Sequence, residues 1–551
     1  GRYGISGNGH NIVIGKRAAF CASTIAHNII MGNCAARRIT SGGCNIVMGM
    51  HTAFNCAGDL TGHNNILMGK CTAKGITTAS SNILMGEQVA PGLTTGSCNI
   101  AIGKQAMGSC AVTGANNVAI GRNAAKKLTS GERNVFLGHY AGSDTADNNY
   151  TGTESTFVGA YAGQSSTGLY QTFIGASAGK TFSCGKCNIA LGYAALKGAS
   201  ASSTGCCNIA VGICALANLT TGSDNYFFGK LAGLCVKTGS KNIAIGICAG
   251  RGSTNGTGLT GNYNIFFGRY TGYNLEAASG NILIGDLTGR MNTTSCDNVA
   301  IGRCSNMYNT TGGSNVILGS KAGCGSDGNS TFASTVLVGY GAGENLTTGN
   351  YNVLLGRASG CAVTSGANNT ILGPSAGDAI QTGSQNIMIG CGVEGSGTGV
   401  DKEIVLGFDN TAVARGTRSF FVHADSGVYH GGNTTTWDTI SDLRIKKNVT
   451  DNNIGLDKIK EVQVRNFEYR TKDEITDFEN PDAVVVNEEG LQLGVIAQEL
   501  QQVLPDTIIQ QSTGALSVNT DNLVWYLINA VKELSTKNDA LEERIKNLEG
   551  S

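Results

Sequence analysis

Between Gly15 and Gly407 the chain repeats one short pattern 23 times: a polar residue, usually asparagine, then three mostly apolar residues, then glycine. Asn99-Ile100-Ala101-Ile102-Gly103 and Asn242-Ile243-Ala244-Ile245-Gly246 are typical, and most copies follow the last by 17 residues. In an extended segment Ile100 and Ile102 fall on one side and Ala101 on the other, the period of a short β-strand with one side in a core. The closing glycine allows a positive φ or the close approach of a neighbouring chain segment. Between strands come small residues and a turn, as in Gly121-Arg122-Asn123-Ala124-Ala125 through Thr129-Ser130-Gly131. Small side chains inside and turn formers at the corners predict a narrow coil. One strand per coil, repeated in register, predicts a mainly β protein with a β-solenoid or β-roll of about 23 coils over residues 1–410.

Asparagine opens most strands, for example Asn11, Asn28, Asn45, Asn208, Asn281, Asn298, Asn315 and Asn386. Stacked at one spot, such amides are expected to bond along the axis as a ladder. The spacing widens at Gly49/Gly69, Gly138/Gly159, Gly192/Gly212, Gly246/Gly268 and Gly319/Gly339. The extra residues predict loops on one side, at 55–60, 143–154, 199–205, 252–260 and 325–333, and these are candidates for a contact surface. At roughly 4.8 Å per coil the repeats would make a rod of about 110 Å. So thin a coil has little room for its own core, which predicts association of several chains, in a number the periodicity does not set.

Composition follows from the repeats: 81 of 551 residues are glycine and only 14% are charged. Residues 441–551 hold 12 Lys/Arg against 20 Asp/Glu, so the neutral chain divides into a mildly basic body and an acidic tail. No basic cluster interleaved with aromatics points to nucleic acid. Uninterrupted apolar stretches of 18 residues are absent, so no membrane insertion is expected. Gly1-Arg2-Tyr3-Gly4 carries neither an initiator Met nor a signal-peptide pattern, and further sequence is expected upstream. All 19 cysteines precede residue 392. Several are phase-locked, before the strand Asn (Cys44, Cys98, Cys187, Cys207) or two residues after the strand Gly (Cys34, Cys71, Cys214, Cys248, Cys304), which suggests small buried side chains. Cys184-Gly185-Lys186-Cys187 has no second pair at zinc spacing, and neither metal nor cofactor is expected.

The lines Thr94-Thr95-Gly96-Ser97-Cys98-Asn99-Ile100-Ala101-Ile102-Gly103 and Thr220-Thr221-Gly222-Ser223-Asp224-Asn225-Tyr226-Phe227-Phe228-Gly229 carry a resemblance over residues 5–410. They resemble the repeat regions of tail-fibre and trimeric-adhesin-like proteins. After a cap or linker over 411–440, Ser441-Asp442-Leu443-Arg444-Ile445-Lys446 opens a different tail. With Gly494-Val495-Ile496-Ala497-Gln498-Glu499-Leu500 and Leu504-Pro505 it resembles the intramolecular chaperone at the C-terminus of phage endosialidases, tail spikes and tail fibres. That resemblance implies a small α+β domain over 441–551, a homotrimer, and a single self-cleavage beside Ser441.

Serine is a weak nucleophile, and a lysine freed of its proton by burial can serve as its base. Ser441 and Lys446 are the candidate pair, with Asp442 and Arg444 as motif members. Their spacing of five does not share a helix face, so a turn or a neighbouring chain must bring them together. The bond cut, Ile440-Ser441 or Ser441-Asp442, is left open. The chain closes on a heptad seam over 524–548, with Val524, Val531, Asn538 and Ile545 at a and Leu527, Leu534, Leu541 and Leu548 at d. Asn538 is expected to fix register.

These readings converge on a viral tail or capsid fibre, assembled in the host cytoplasm and carried on the virion. It is expected to bind a host surface glycan or protein and to join other virion proteins on its N-terminal side. The alternatives are a cellular adhesin or structural filament with the same chaperone, and a glycan-degrading spike. The spike requires paired carboxylates, whereas the acids of the body are scattered (Glu87, Glu132, Glu154, Glu276, Asp286, Glu344).

Overall fold

The computed structural model describes residues 9–408 apart from 56–57, 109–110, 144–148, 201–202, 255–257 and 327–329. It also describes 420–422, and 443–550 apart from 479–484, 487 and 512. Two units are present, residues 1–365 and 366–551. The first holds the coil strands from Ile12–Ile14 to Val353–Leu355, and the second those from Thr370–Leu372 to Ile404–Leu406, the strand Phe420–Val422 and the C-terminal domain. The body is a β-solenoid of some 22 turns, and the whole is mainly β with a small α+β region at its end.

Each coil contributes one three-residue strand, paired in parallel with those of its neighbours: Ile209 lies against Tyr226, Ala210 against Phe227 and Val211 against Phe228. From Ile30 to Val405 the middle residue of every strand is buried and its two neighbours remain partly or largely exposed. The core side of the period-2 pattern is therefore the single middle position.

In several coils that middle residue is matched in size to the residue four after the strand glycine. Ala190 and Ala210 face Leu196 and Leu216, and all four are fully buried. Where the centre is Phe136, Phe157 or Phe173, the partner is Gly142, Gly163 or Gly179. A methyl group at Gly142 would stand 2.2 Å from the Phe136 ring, and at Gly179 2.3 Å from that of Phe173. The coil has a fixed cross-section, so one large side chain leaves room only for a hydrogen opposite it.

The strand glycine is required twice over. At Gly212 φ is 132° and an added Cβ would lie 2.5 Å from the Gly229 carbonyl oxygen in the next coil. Both readings made from the sequence, positive φ and close approach, apply at this position.

The asparagine ladder forms and does more than link amides. Asn28 Oδ1 accepts from both the backbone N–H and the side-chain Nδ2 of Asn45, at 2.9 and 3.1 Å. Asn45 Nδ2 also donates to the Gly62 carbonyl, 3.0 Å away. Each buried amide thus satisfies a strand entry and a turn at once. Ser155, Gln171, Thr335 and Glu403 replace asparagine in four coils. Three of them, Ser155, Thr335 and Glu403, keep the backbone bond to the preceding asparagine.

A second ladder runs two residues earlier. Ser80 N–H donates to Ser97 Oγ and Ser223 N–H to Ser240 Oγ, both at 3.0 Å, and Ser384 N–H donates to Asp401 Oδ1 at 2.7 Å. The serine of the Thr-Thr-Gly-Ser line is therefore an axial acceptor as well as a turn former.

Left-handed backbone recurs without glycine before the strand polar residue and two residues after the strand glycine, as at Cys44 (φ 57°), Cys34 (φ 54°) and Cys207 (φ 57°). Each such residue costs about 1 kcal/mol or more. Its N–H is fixed by the preceding coil: Cys44 to Ala26 O at 3.0 Å, Cys34 to Lys16 O at 2.8 Å. This corrects the reading of the phased cysteines as uniformly buried. Cys34 and Cys248 are buried, whereas Cys44, Cys98, Cys187 and Cys207 are exposed. Burial pushes the thiol of Cys324 up to about 11.

The insertions enter at one corner. Leu60, Tyr150, Ser203, Leu259 and Ser330 each bridge back to the preceding coil immediately after the inserted residues, and Val112 does so after a smaller one. The central residues of the loops proposed as a contact surface lie outside the described residues.

The size match predicts a rescue. Gly142→Leu should lower stability by about 1–3 kcal/mol through overpacking and Phe136→Ala by about 3–5 kcal/mol. The double variant, which recreates the Ala190/Leu196 pairing, should be more stable than Phe136→Ala alone in denaturant melts. Purely additive losses would contradict the match. Asn225→Ala should cost about 3 kcal/mol, because Asn225 bonds Asn208, Asn242 and the Gly239 carbonyl. Amide exchange should accelerate at Asn242 and in the adjoining coils and stay slow elsewhere; unchanged exchange would refute the ladder's role.

Candidate functional site

In the C-terminal domain the chain first makes the helix α1, Leu456–Glu461, and then strand Arg465–Phe467, antiparallel to Gln492–Gly494. Helix α2, Ala497–Val503, follows, then the hairpin of Ile508–Gln510 and Leu516–Val518, and the 30-residue α3, Thr520–Glu549. Leu500, Leu504 and Tyr526 form the small core, so α3 is seated on the domain through its first turns. The Tyr526 hydroxyl donates to Asp506 Oδ2 at 2.5 Å. That hydrogen bond, with partial burial, raises the tyrosine above its usual pKa. Leu456 N–H donates to Glu533 Oε2 at 3.1 Å, tying α1 to α3. Arg465 holds Glu499 with two bonds of 3.1 Å, joining its strand to α2. Glu499 stood in the sequence motif, but its partner Arg465, 34 residues away, carried no local signal.

Of the candidate catalytic residues, Ser441 and Asp442 lie outside the described residues. Leu443–Ile445 forms one 3-10 turn, closed by the Lys446 N–H donating to Leu443 O at 3.2 Å. Arg444 and Lys446 are exposed in the single chain. The turn begins two positions after Ser441 in the chain, and Lys446 at its end is not buried by this chain's described residues.

The heptad seam lies on α3 and is uncovered. Tyr526, Ala530 and Glu533 meet the chain's own domain, while the a and d residues point elsewhere. Val531, Leu541 and Ile545 are more than half exposed, and Leu548 reaches 74%. Asn538, at an a position, is exposed with them.

The body carries a larger uncovered face. Each strand centre has one outward residue on either side, 46 positions in 23 coils, hydrophobic or aromatic except for Thr156, Thr172 and Thr370. None is charged. Phe228, Ile245, Phe267 and Ile301 are each 37–39% exposed. The position after the strand glycine borders the face and is mixed: Lys104 pairs with Glu87 at 2.9 Å and Arg269 with Asp286 at 2.9 Å, while Tyr193, Ile213 and Ile247 stand exposed at the same position. Monomeric proteins seldom expose more than a few hundred Å² of contiguous apolar surface. Among the described residues no helix is long and apolar enough to cross a membrane.

No curated protein matches the chain significantly. Residues 441–509 match the family described as chaperone of endosialidase, a match that starts at Ser441 and stops short of α3. That segment, set behind a β-solenoid of some 22 turns, fits a protein of the tail-fibre or endosialidase type.

Proposed function

We infer that the chain is one of three identical subunits of a viral tail or surface fibre that attaches to a host. Its C-terminal domain brings the chains together and then cuts itself off beside Ser441. The uncharged outward face of the strands carries this reading. Of the three columns that the strands supply, the coil buries the middle one, and other copies are needed to cover the two that face outward. The uncovered seam of α3 calls for the same partners, and the chaperone family supplies the machinery. Valine and isoleucine at a with leucine at d lean towards two strands on general rules. We assign three on the family resemblance, with Asn538 setting the register.

Parallel pairing and interchain docking over so long a body are slow and expose apolar surface on the way. A compact domain that fixes the register first lowers that hazard, and its removal afterwards makes the assembly kinetically hard to reverse. Ser441 Oγ attacks a neighbouring backbone carbonyl while Lys446, as the neutral amine, takes the hydroxyl proton; the peptide C–N bond then breaks, Lys446 returns the proton to the leaving amine, and water hydrolyses the resulting ester to a free carboxylate and the serine hydroxyl. Since Lys446 is exposed in the single chain, the base becomes active when another subunit covers it. Cleavage is thereby tied to assembly.

Freshly expressed protein should separate on denaturing mass analysis into the body and a fragment of about 110 residues. Ser441→Ala, Lys446→Ala and Lys446→Arg should each stay whole, because arginine does not serve as a base at neutral pH. An intact wild-type chain would overturn self-cleavage. Leu527→Asp with Leu534→Asp should abolish assembly and cleavage together; a monomer that still cuts itself would separate the two events.

A further inference from the structure

A second site lies on the turns after the strands, away from the outward strand face. Five residues after the strand glycine the coils mostly carry long side chains, such as Phe20, Arg37, Phe54, Lys180 and Arg251. Two successive coils depart from this with Pro91 and Gly108, between Lys74 in the coil before and Lys126 in the coil after. The register is fixed by backbone bonds from Gly75 N–H to Pro91 O and from Met107 N–H to Ala124 O, both 2.8 Å. Gly108 is held without a side chain, because a Cβ there would collide with the Lys126 carbonyl. The missing bulk leaves a recess of about 300 Å³, walled by the two lysines and flanked by Gln88 and Gln105. Gln105 Nε2 donates to Gln88 Oε1 at 2.9 Å, and Gln88 is exposed with Gln105 half-buried beside it.

Electrostatics point to an anion. Between residues 60 and 131 the chain has six lysines and arginines and one acid, Glu87, whereas the chain as a whole is neutral. Glu87 is taken by Lys104 at 2.9 Å, so no described carboxylate pairs with Lys74 or Lys126. The recess spans three coil rises, roughly 14 Å, which is longer than a single small anion. No aromatic ring lines it, and binding of single-stranded nucleic acid relies on such rings for stacking. Charges at both ends, amides between them and a shallow open floor suit a chain of hydroxyl-rich rings with carboxylates at short intervals.

We propose that this recess binds an acidic polysaccharide of the uronic-acid class, its carboxylates meeting Lys74 and Lys126 and its hydroxyls meeting Gln88 and Gln105. This rests on the host-attachment reading and gives it one surface chemistry. The test is calorimetric titration of the chain of residues 1–551 with polygalacturonate, alongside dextran, dextran sulfate and single-stranded DNA. Lys74→Gln with Lys126→Gln is compared with Lys180→Gln with Lys197→Gln, which removes equal charge from the same region of later coils. Wild type should bind polygalacturonate, weaken as salt is raised and ignore dextran. The recess variant should lose about tenfold in affinity, the scale of two exposed ion pairs, and the control less than twofold. Absence of wild-type binding, an equal loss in both variants, or tighter binding of dextran sulfate or DNA than of polygalacturonate would each overturn the proposal. If the protein still adheres to host cells while failing these titrations, the recess is refuted and attachment through another surface stands.

Discussion

Every structural feature of the body depends on the parallel, in-register hydrogen bonding of one coil to the next. Once Ile209 is set against Tyr226 and Ala210 against Phe227, each position of the repeat becomes a column along the solenoid. Any side-chain property then acts collectively. An amide becomes a ladder, a glycine becomes a channel for close backbone approach, and a pair of apolar flanks becomes a continuous face. Stability in such an array is a sum of coil terms and nearest-neighbour terms, so the register matters more than any individual contact.

Much of this was legible from sequence because columns are periodic. Asn45 and Gly49, with the strand between them, announce their roles by recurring at one phase, and the amide ladder and glycine contacts follow from that phase. The side of the strand that forms the core was less plain. Ala210, flanked by Ile209 and Val211, is the smallest of the three and yet the buried one, and its burial becomes intelligible only through Leu216 across the coil. The exposed cysteines escaped for a related reason: Cys44 and Cys207 occupy left-handed backbone held by the preceding coil, which neither their size nor their hydropathy reveals. In the C-terminal domain the heptad of α3 was local and readable, whereas Arg465 and Glu499 meet through tertiary folding alone. The Ser441-Lys446 pairing is not readable from one chain if the neighbour that buries the lysine is another copy.

The two ends of the molecule answer the same physical problem. Each strand of the coil turns its middle residue into the core and leaves two columns outside, and a helix whose c and g positions face its own domain leaves its a and d positions outside. In the proposed assembly, copies of the chain cover both. A thin solenoid therefore needs its partners in the correct register before its outward columns can be buried, and the C-terminal domain provides a compact place to set that register. The basic recess at Pro91 and Gly108 fits this arrangement, since it opens on the turns and stays available when the strand face is covered.

The central claim, that other copies cover the outward strand face, can be read from methionine chemistry. Met31, Met48, Met68 and Met85 stand in one outward column of successive coils, and Met50 lies just beyond the strand glycine at 40% exposure. Exposed methionine takes up oxygen from peroxide to form the sulfoxide. In the native assembly, brief peroxide treatment followed by peptide mass analysis should find Met50 oxidised and the four column methionines unmodified. Oxidation of all five to a similar extent would mean that the face is open to solvent and that the chains do not associate through it.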